Sequence, residues 1–267
     1  LESLAARELT DRQRADLRGT LDLIQHDLEK RVEEASEGVS LGNALALVKG
    51  KLERIQGLLS DPSFEGRLKR WVGPRAWGDE HTDLEAAGQG AAEPSLEHIS
   101  RLAVEACKQP SPLTEALLDW LLTDDAERAW AFFIALGEGD SDSIWLTALT
   151  KRLDNPAGPR AFGYYVHGLA RRSPDQVEPI LDSLSLENPG NTRGALAAIF
   201  ALRGTPRRAR RLLSLVDCRL ASPAEVLRGI GFEWTHDLPA EDFSALISRL
   251  DDGSTETARG IVEVLST

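Results

Sequence analysis

Apolar residues recur at steps of three and four along the first part of the chain. They are Leu17, Leu21, Ile24, Leu28 and Val32. This spacing places them on one face of an α-helix. With Thr10 or Asp11 as N-cap and Gly38 as terminator, residues 11–36 are predicted to form a long amphipathic helix.

The same rhythm continues over residues 41–59, so the first two helices are expected to pair as an antiparallel hairpin. A short third helix near residues 64–72 completes an N-terminal unit, residues 1–72. Over residues 73–94 the helical pattern stops among Gly, Pro and acidic residues, which predicts a linker or long surface loop. A second, helical domain then covers residues 95–267.

An arginine recurs near the start of five successive helix-like segments in the second domain. The positions are Arg128, Arg160, Arg193, Arg228 and Arg259, at steps of 32, 33, 35 and 31 residues. A fixed period in this range is typical of stacked supersecondary units. The clearest unit covers residues 177–204: an apolar helix, a turn over residues 187–191, and a second helix rich in Ala and Leu.

This pattern resembles HEAT repeats over about residues 111–267. The resemblance implies an all-α protein in which the N-terminal hairpin is followed by a right-handed HEAT-like α-solenoid of about five helix pairs. It also implies that the periodic arginines bond turn carboxylates along the stack. The candidate carboxylates are Asp124, Asp154, Glu187, Asp217 and Asp252.

Composition indicates a soluble globular protein, because 42% of the 267 residues are hydrophobic and 28% are charged. No apolar run approaches the roughly 18 to 20 residues that span a bilayer, and no signal peptide is evident at the start. We therefore expect a cytoplasmic chain that does not contact a membrane. The lack of any Met predicts a trimmed or excised segment.

The net charge of −12 is distributed unevenly, because the excess of acidic residues lies in the first part of the chain. Residues 1–157 carry 29 acidic and 18 basic side chains, whereas residues 158–267 carry 14 and 13, and every basic residue after Arg152 is Arg. Arginine favours planar, bidentate contacts wherever a basic face is used.

A stripe of hydrogen-bonding side chains is predicted along residues 159–171. At 100° per residue, Phe162, Tyr165, Val166 and Leu169 share one face. The opposite stripe consists of Arg160, Tyr164, His167 and Arg171. On the concave side of a solenoid such a stripe would hold a phosphate, a carboxylate or an acidic peptide; the alternative is an ordinary solvated helix face.

A basic patch is predicted around residues 203–211. Ala209, Leu212, Leu213 and Val216 are expected to face inward. The outward arginines are Arg203, Arg207, Arg208, Arg210 and Arg211. Such a patch can bind a nucleic-acid backbone by counterion release, meet an acidic partner or acidic residues of the same chain, or remain solvated.

Motifs for metal binding or catalysis are not found. The five His show no ligand spacing, and Cys107 and Cys218 stand far apart in apolar contexts, which predicts two buried thiols. The acids of residues 138–143 lack the pattern of an EF-hand loop, so Ser141 or Asp142 is expected to cap the next helix. Trp120, Trp130 and Trp145 are expected in the core, and Trp71, Trp77 and Trp234 at a contact surface.

The sequence therefore favours a non-catalytic protein-interaction scaffold, or the recognition region of a larger bacterial assembly, with a protein partner and no cofactor or metal. One alternative is a nucleic-acid-binding solenoid that uses the basic patch. A second is a HEAT-like enzyme with a cleft around His167. Nothing in the sequence indicates the oligomeric state.

Overall fold

The structure is a computed structural model that describes residues 10–34, 48, 61–74 and 94–266. Every regular element within these ranges is a helix. The all-α prediction is therefore confirmed for the part of the chain described. The predicted helix over residues 41–59 lies outside that part, except for residue 48, and so does most of the predicted linker over residues 73–94.

The chain divides into two compact units, Leu1–Ala135 and Leu136–Thr267. Before the division lie α1 Asp11–Glu34, α2 Phe64–Val72, α3 Pro94–Lys108 and α4 Glu115–Trp120, and α5 Ala129–Gly139 contains the division itself. The second unit continues with α6 Ile144–Thr150, α7 Gly158–Arg172, α8 Val177–Ser183, α9 Pro189–Phe200, α10 Pro206–Asp217, α11 Pro223–Gly229, α12 Phe232–Thr235, α13 Ala240–Leu250 and α14 Thr255–Ser266. Domain limits at residues 72 and 95 stay predictions.

In the first unit, α2 packs against α3. The buried residues of α2 are Phe64, Leu68 and Val72. Beside this apolar contact, both Nη atoms of Arg67 donate to the carboxylate of Glu105, at 2.9 and 2.7 Å. These hydrogen bonds raise the pKa of Arg67 above its ordinary value. Because the pair is bidentate, it fixes the rotation of α2 relative to α3.

In the second unit, helices two or three elements apart in the chain pack on one another. Helix α7 packs against α9, α11 against α14, and α10 against α13. Helix α7 also packs against its two neighbours along the chain, α6 and α8. The helices can be grouped as the pairs α6–α7, α8–α9, α10–α11 and α13–α14. The first helices α10 and α13 then pack on each other, and so do the second helices α7 and α9, and α11 and α14.

Side chains tie these pairs together across a nearly constant sequence separation. Hydrogen bonds that join residues between 32 and 35 positions apart include Arg249 to Asp217, Arg211 to Glu178, His167 to Ala201, Arg203 to Asp237, and Trp234 to Ile199. The separation equals the length of one predicted repeat. Contacts of this kind are those expected when each unit packs on its sequence neighbour.

Glycines permit close approach where the second helices meet. A Cβ at Gly163 of α7 would lie 2.8 Å from the carbonyl oxygen of Ala197 in α9, and one at Gly260 of α14 would lie 2.9 Å from Cβ of Leu227 in α11. At these distances no side chain fits without moving the neighbour. The helices thus approach more closely than larger residues allow.

A buried carboxylate starts α6. Asp140 accepts hydrogen bonds from the amide nitrogens of Ile144 at 3.0 Å and Trp145 at 2.8 Å. Ser143, at the N-cap position, has φ of 55° and makes no capping bond with its side chain. The expectation that Ser141 or Asp142 caps this helix is therefore wrong, because the left-handed turn at Ser143 brings the earlier Asp140 to the helix start.

Four further predictions about single residues are corrected. Cys107 is half-buried and Cys218 exposed, so neither is a core thiol. Trp130 is exposed by 41%, whereas Trp234, expected at a contact surface, is buried and donates to the carbonyl of Ile199 at 2.9 Å. Trp145 is buried as predicted.

No helix in the described part of the chain has both the length and the apolar character needed to cross a membrane.

Candidate functional site

The predicted basic patch lies on α10. Thr205 caps this helix by accepting a hydrogen bond from the amide of Arg208 at 3.3 Å, and Pro206 occupies its first position. The buried residues of the helix are Ala209, Leu212 and Leu215. Leu215 thus replaces the predicted Leu213 and Val216, which are half-buried, and the arginines are directed away from the core as expected.

Three arginines of the patch bind two carboxylates of α8. Arg207 Nη2 lies 2.7 Å from Asp182 Oδ2, and Arg208 Nε lies 2.9 Å from Glu178 Oε1. Arg211 Nη2 contacts both acids, at 3.1 Å from Glu178 Oε2 and 2.6 Å from Asp182 Oδ1. These residues form the α8–α10 ion-pair cluster.

Solvent reaches the centre of this cluster poorly. The side chains of Arg208, Arg211 and Glu178 expose only 11%, 16% and 17% of their surface. Ion pairs at such depth are screened less than surface pairs and are held in fixed geometry by several bonds. The cluster therefore joins two successive helix pairs, and Arg207, Arg208 and Arg211 serve this internal contact in the structure.

The other two arginines of the patch are more accessible. Arg203 exposes 82% of its side chain and lies 3.1 Å from Asp237 Oδ2, a surface pair of the weak kind. Arg210 is exposed and makes no hydrogen bond or ion pair with a residue that the structure describes. Arg207, Arg208, Arg210 and Arg211 thus face two carboxylates, leaving two positive charges uncompensated.

Next to Arg210 lies an open groove of about 350 Å³. Its apolar lining is formed by Leu181, Leu184, Leu186, Ala195 and Leu215, and its polar lining by Asp182, Arg207, Arg210, Arg211 and Ser214. Helix α8 ends at Ser183, and the extended backbone of Leu184 turns the chain toward α9. The groove therefore combines an apolar surface large enough for a side chain with a cationic margin.

The stripe predicted on α7 is also present. Phe162, Tyr165, Val166 and Leu169 are all fully buried, which confirms the predicted core face. On the other side Arg160 and Arg171 are exposed, and Tyr164 and His167 are half-buried. Arg160 Nε donates to the Tyr164 hydroxyl at 3.0 Å, and Arg171 Nη1 lies 2.6 Å from Glu138 Oε1.

His167 is held in one orientation. Its Nδ1 lies 2.6 Å from the carbonyl oxygen of Ala201, and because a carbonyl oxygen only accepts, Nδ1 carries the hydrogen. Nε2 is the remaining nitrogen for any ligand. A role of this stripe in catalysis stays a prediction.

The role predicted for the periodic arginines is wrong. Arg160, Arg193, Arg228 and Arg259 are exposed, and none is ion-paired with a turn carboxylate in the described part of the chain. Arg228 donates to the carbonyl of Ala224, and Arg259 to Glu263, both on their own helices. Arg128 is buried and donates to the Ser95 hydroxyl.

The turn acids bind other partners, or none that the structure describes. Asp217 accepts from Arg249 at 2.8 Å. Asp252 accepts from the Thr257 hydroxyl at 2.7 Å, and this bond, with a further one from the amide of Ser254, lowers the pKa of Asp252 below its ordinary value. Three of the periodic arginines are followed by close-packed glycines: Gly194, Gly229 and Gly260 lie against Leu153, Phe200 and Leu227.

The sequence interpretation missed Glu178 and Asp182. They stand four residues apart on α8, one repeat before Arg208 and Arg211, so the repeat length together with the i, i+4 spacing would have indicated them. No group of three His, Cys, Asp or Glu that could hold a metal ion occurs among the residues described.

No family model, curated protein or solved structure matches this chain.

Proposed function

We propose that the helix pairs after residue 111 form a HEAT-like right-handed α-solenoid that acts as a non-catalytic scaffold and binds a protein partner in the groove beside Arg210. The packing of first helices on first helices and second on second supports the solenoid. So do the hydrogen bonds that span one repeat. The observation that carries the function is an exposed arginine, Arg210, that has no partner among the described residues and lies at the margin of an apolar groove.

The partner is a polypeptide segment with an apolar side chain next to a carboxylate. Leu181, Leu186 and Leu215 offer an apolar lining, and burying a leucine-sized side chain there contributes about 1.5–3 kcal/mol. Arg210 has no partner of its own among the described residues, so a carboxylate of the ligand can bind it at little cost in broken contacts.

The ion-pair cluster prepares the groove for such a ligand. Arg207 and Arg211 line the groove and are already held by Asp182 and Glu178, so their side chains lose little further freedom on binding. Preorganised side chains improve affinity because the entropy cost has been met in folding. The two uncompensated charges favour an acidic over a basic segment.

The same cluster weighs against the nucleic-acid alternative at this patch. A phosphate backbone draws its affinity from arginines and lysines that give up only small counterions. Here Arg207, Arg208 and Arg211 would have to leave carboxylates that they already bind. The patch therefore supports a protein contact better than a polynucleotide contact.

The test uses fluorescent peptides with one Leu or Phe flanked by Glu. We expect them to bind the full chain more tightly than matched peptides in which Lys replaces Glu or Ser replaces the apolar residue. Arg210→Glu should weaken binding roughly tenfold, about 1.4 kcal/mol. Fluorescence anisotropy measures both effects.

A matched control is Arg219→Glu, which makes the same charge change at another exposed arginine of the same unit whose side chain has no described partner. It should leave peptide affinity unchanged. Equal affinity for acidic and basic peptides, or equal losses in the two variants, would contradict the proposal. Arg207→Glu is a poor test, since it places a new carboxylate beside Asp182 and disturbs the cluster.

A further inference from the structure

A row of exposed arginines runs along the second helices of the second unit, away from the groove. Arg160 lies on α7, Arg193 on α9, Arg228 on α11 and Arg259 on α14. Arg193 makes no hydrogen bond or ion pair with a described residue, and Arg160 bonds only the neutral Tyr164 hydroxyl. We call these four residues the second-helix arginine row.

The register of α7 and α9 places the first two arginines side by side. Gly163 lies against Ala197, and His167 bonds Ala201. Both contacts join residues that are 34 positions apart. The second contact lies four residues further along than the first on both helices, so the helices run parallel with one fixed register. One turn earlier, that register puts Arg160 beside Gly194 and therefore next to Arg193. At 100° per residue both arginines point to the same side of the α7–α9 contact.

The other two arginines are arranged alike. Leu227 of α11 lies against Gly260 of α14. Arg228 directly follows Leu227, and Arg259 directly precedes Gly260. The two arginines therefore project to one side of the contact. The rings of Phe200 on α9 and the backbone of Gly229 on α11 join the two halves of the row.

Acidic residues are confined to one half of this surface. Glu225 on α11 and Glu256 on α14 stand three residues before Arg228 and Arg259 on the same helix face. Neither α7 nor α9 contains an Asp or Glu. The nearest turn acids are Asp154, which lies against Gly190, and Glu187, and neither is in an ion pair with an arginine of the described chain. Glu263 binds Arg259, but both side chains are more than half exposed, so solvent and ions compete for this pair.

The spacing of the four arginines and the rings beside Arg160 indicate which ligand this surface fits. Packed helices lie about 8–10 Å apart, so four helices present their charges over roughly 25–30 Å. That length fits an extended polyanion better than a single anionic group. Tyr164 and the oriented His167 ring flank Arg160, and rings beside cations are the groups on which unpaired bases stack.

We propose that the second-helix arginine row binds the phosphate backbone of single-stranded nucleic acid, with bases placed against Tyr164 and His167. Each arginine takes one phosphate through its planar guanidinium group. This surface is separate from the groove beside Arg210, so either assignment can fail without the other.

The experiment measures binding of a fluorescent oligodeoxythymidylate of about 20 nucleotides by the full chain at several salt concentrations. We expect the logarithm of affinity to fall with the logarithm of salt at a slope of about −3, from four contacts at about −0.7 each. Arg193→Glu should weaken binding several-fold at low salt and make the slope shallower by about 0.7. Arg193→Gln should give a smaller loss in the same direction.

Arg219→Glu is the matched control, because Arg219 is an exposed arginine of the same unit that belongs to neither the row nor the groove. It should leave both affinity and slope unchanged. Circular dichroism of each variant confirms equal helicity. Absence of binding at low salt, or equal losses in the Arg193→Glu and Arg219→Glu variants, would overturn the proposal. A polyglutamate peptide of similar charge is the competitor; if it binds as tightly and with the same dependence on Arg193, the surface serves an acidic polypeptide and the nucleic-acid assignment is wrong.

Discussion

The hydroxyl of Tyr165 donates a hydrogen bond of 2.8 Å to Oδ2 of Asp140, and both side chains are buried. The same carboxylate accepts from two amides at the start of α6. One acid thus joins the start of the first helix of a pair to the middle of the second.

Replacing Asp140 should destabilise the second unit strongly. Asp140→Ala removes a cap and leaves buried donors without an acceptor, so we expect a loss of about 2–4 kcal/mol in the free energy of unfolding. Tyr165→Phe removes one bond and should cost about 1–1.5 kcal/mol. Chemical denaturation of both single variants and the double variant measures these losses; the double variant should lose less than the sum.

Asp142→Ala is the control for this cap. Asp142 is exposed and was expected from sequence to cap α6, yet its replacement should change stability by no more than about 0.5 kcal/mol. A loss equal to that of Asp140→Ala would show that the cap has been assigned to the wrong acid.

Removing Glu178 should destabilise the contact between α8 and α10. Arg208 and Arg211 are poorly exposed, and Glu178→Ala removes a carboxylate that binds both of them. We expect the free energy of unfolding to fall by about 2–4 kcal/mol. The comparison is Asp217→Ala, which breaks an exposed pair with Arg249 and should cost no more than about 1 kcal/mol. Urea denaturation separates the two cases, and similar losses would argue against a cooperative cluster.

A methyl group at Gly163 should disturb the packing of α7 on α9. Because its carbon would lie 2.8 Å from the Ala197 carbonyl oxygen, the helices must separate, and we expect Gly163→Ala to lower the free energy of unfolding by about 1–3 kcal/mol. Gly231, which has no atom within 4 Å of a built Cβ, is the control. Gly231→Ala should change stability by less than about 0.5 kcal/mol, and the thermal midpoints of the two variants should differ accordingly.

Acid should weaken the start of α14. The bonds from Thr257 and Ser254 lower the pKa of Asp252 in the folded chain, so the unfolded chain binds its proton more readily. The contribution of Asp252 is therefore present above its unfolded pKa, about 3.9, and is lost as the pH falls through the lower folded pKa. The wild type and Asp252→Asn should differ in thermal midpoint near neutral pH and converge in acid.

Asp124 provides the comparison, because it is exposed and has no hydrogen bond or ion pair with a described residue. Asp124→Asn should differ little from the wild type at any pH. A gap between wild type and Asp252→Asn that persists to the lowest pH would refute the assigned titration.

Helical periodicity was sufficient to place the core face of α7, since Phe162, Tyr165, Val166 and Leu169 are buried as the spacing predicts. It was insufficient to separate the roles of the arginines. A period shows that a position recurs, but not which neighbour it meets. Arg193, which lies in the period, has no partner among the described residues, whereas Arg208 and Arg211, outside the period, bind the previous helix pair.

The groove was beyond sequence reasoning for a related reason. Its lining combines the end of α8, Ala195 of α9 and one side of α10, and only the packing of three helices brings Leu186 near Arg210. The cap of α6 was misassigned because the choice between Asp140 and Asp142 depends on the positive φ of Ser143, a backbone state that the local sequence does not fix.

The constant span of the hydrogen bonds between helix pairs also restricts how this chain can change in evolution. Losing a few residues inside a pair would carry Gly163 and His167 out of step with Ala197 and Ala201 together. Duplicating or deleting a complete helix pair would leave the sequence separation of every remaining hydrogen bond between pairs unchanged. Natural length variation among descendants of this chain should therefore come in whole pairs or in the turns between helices.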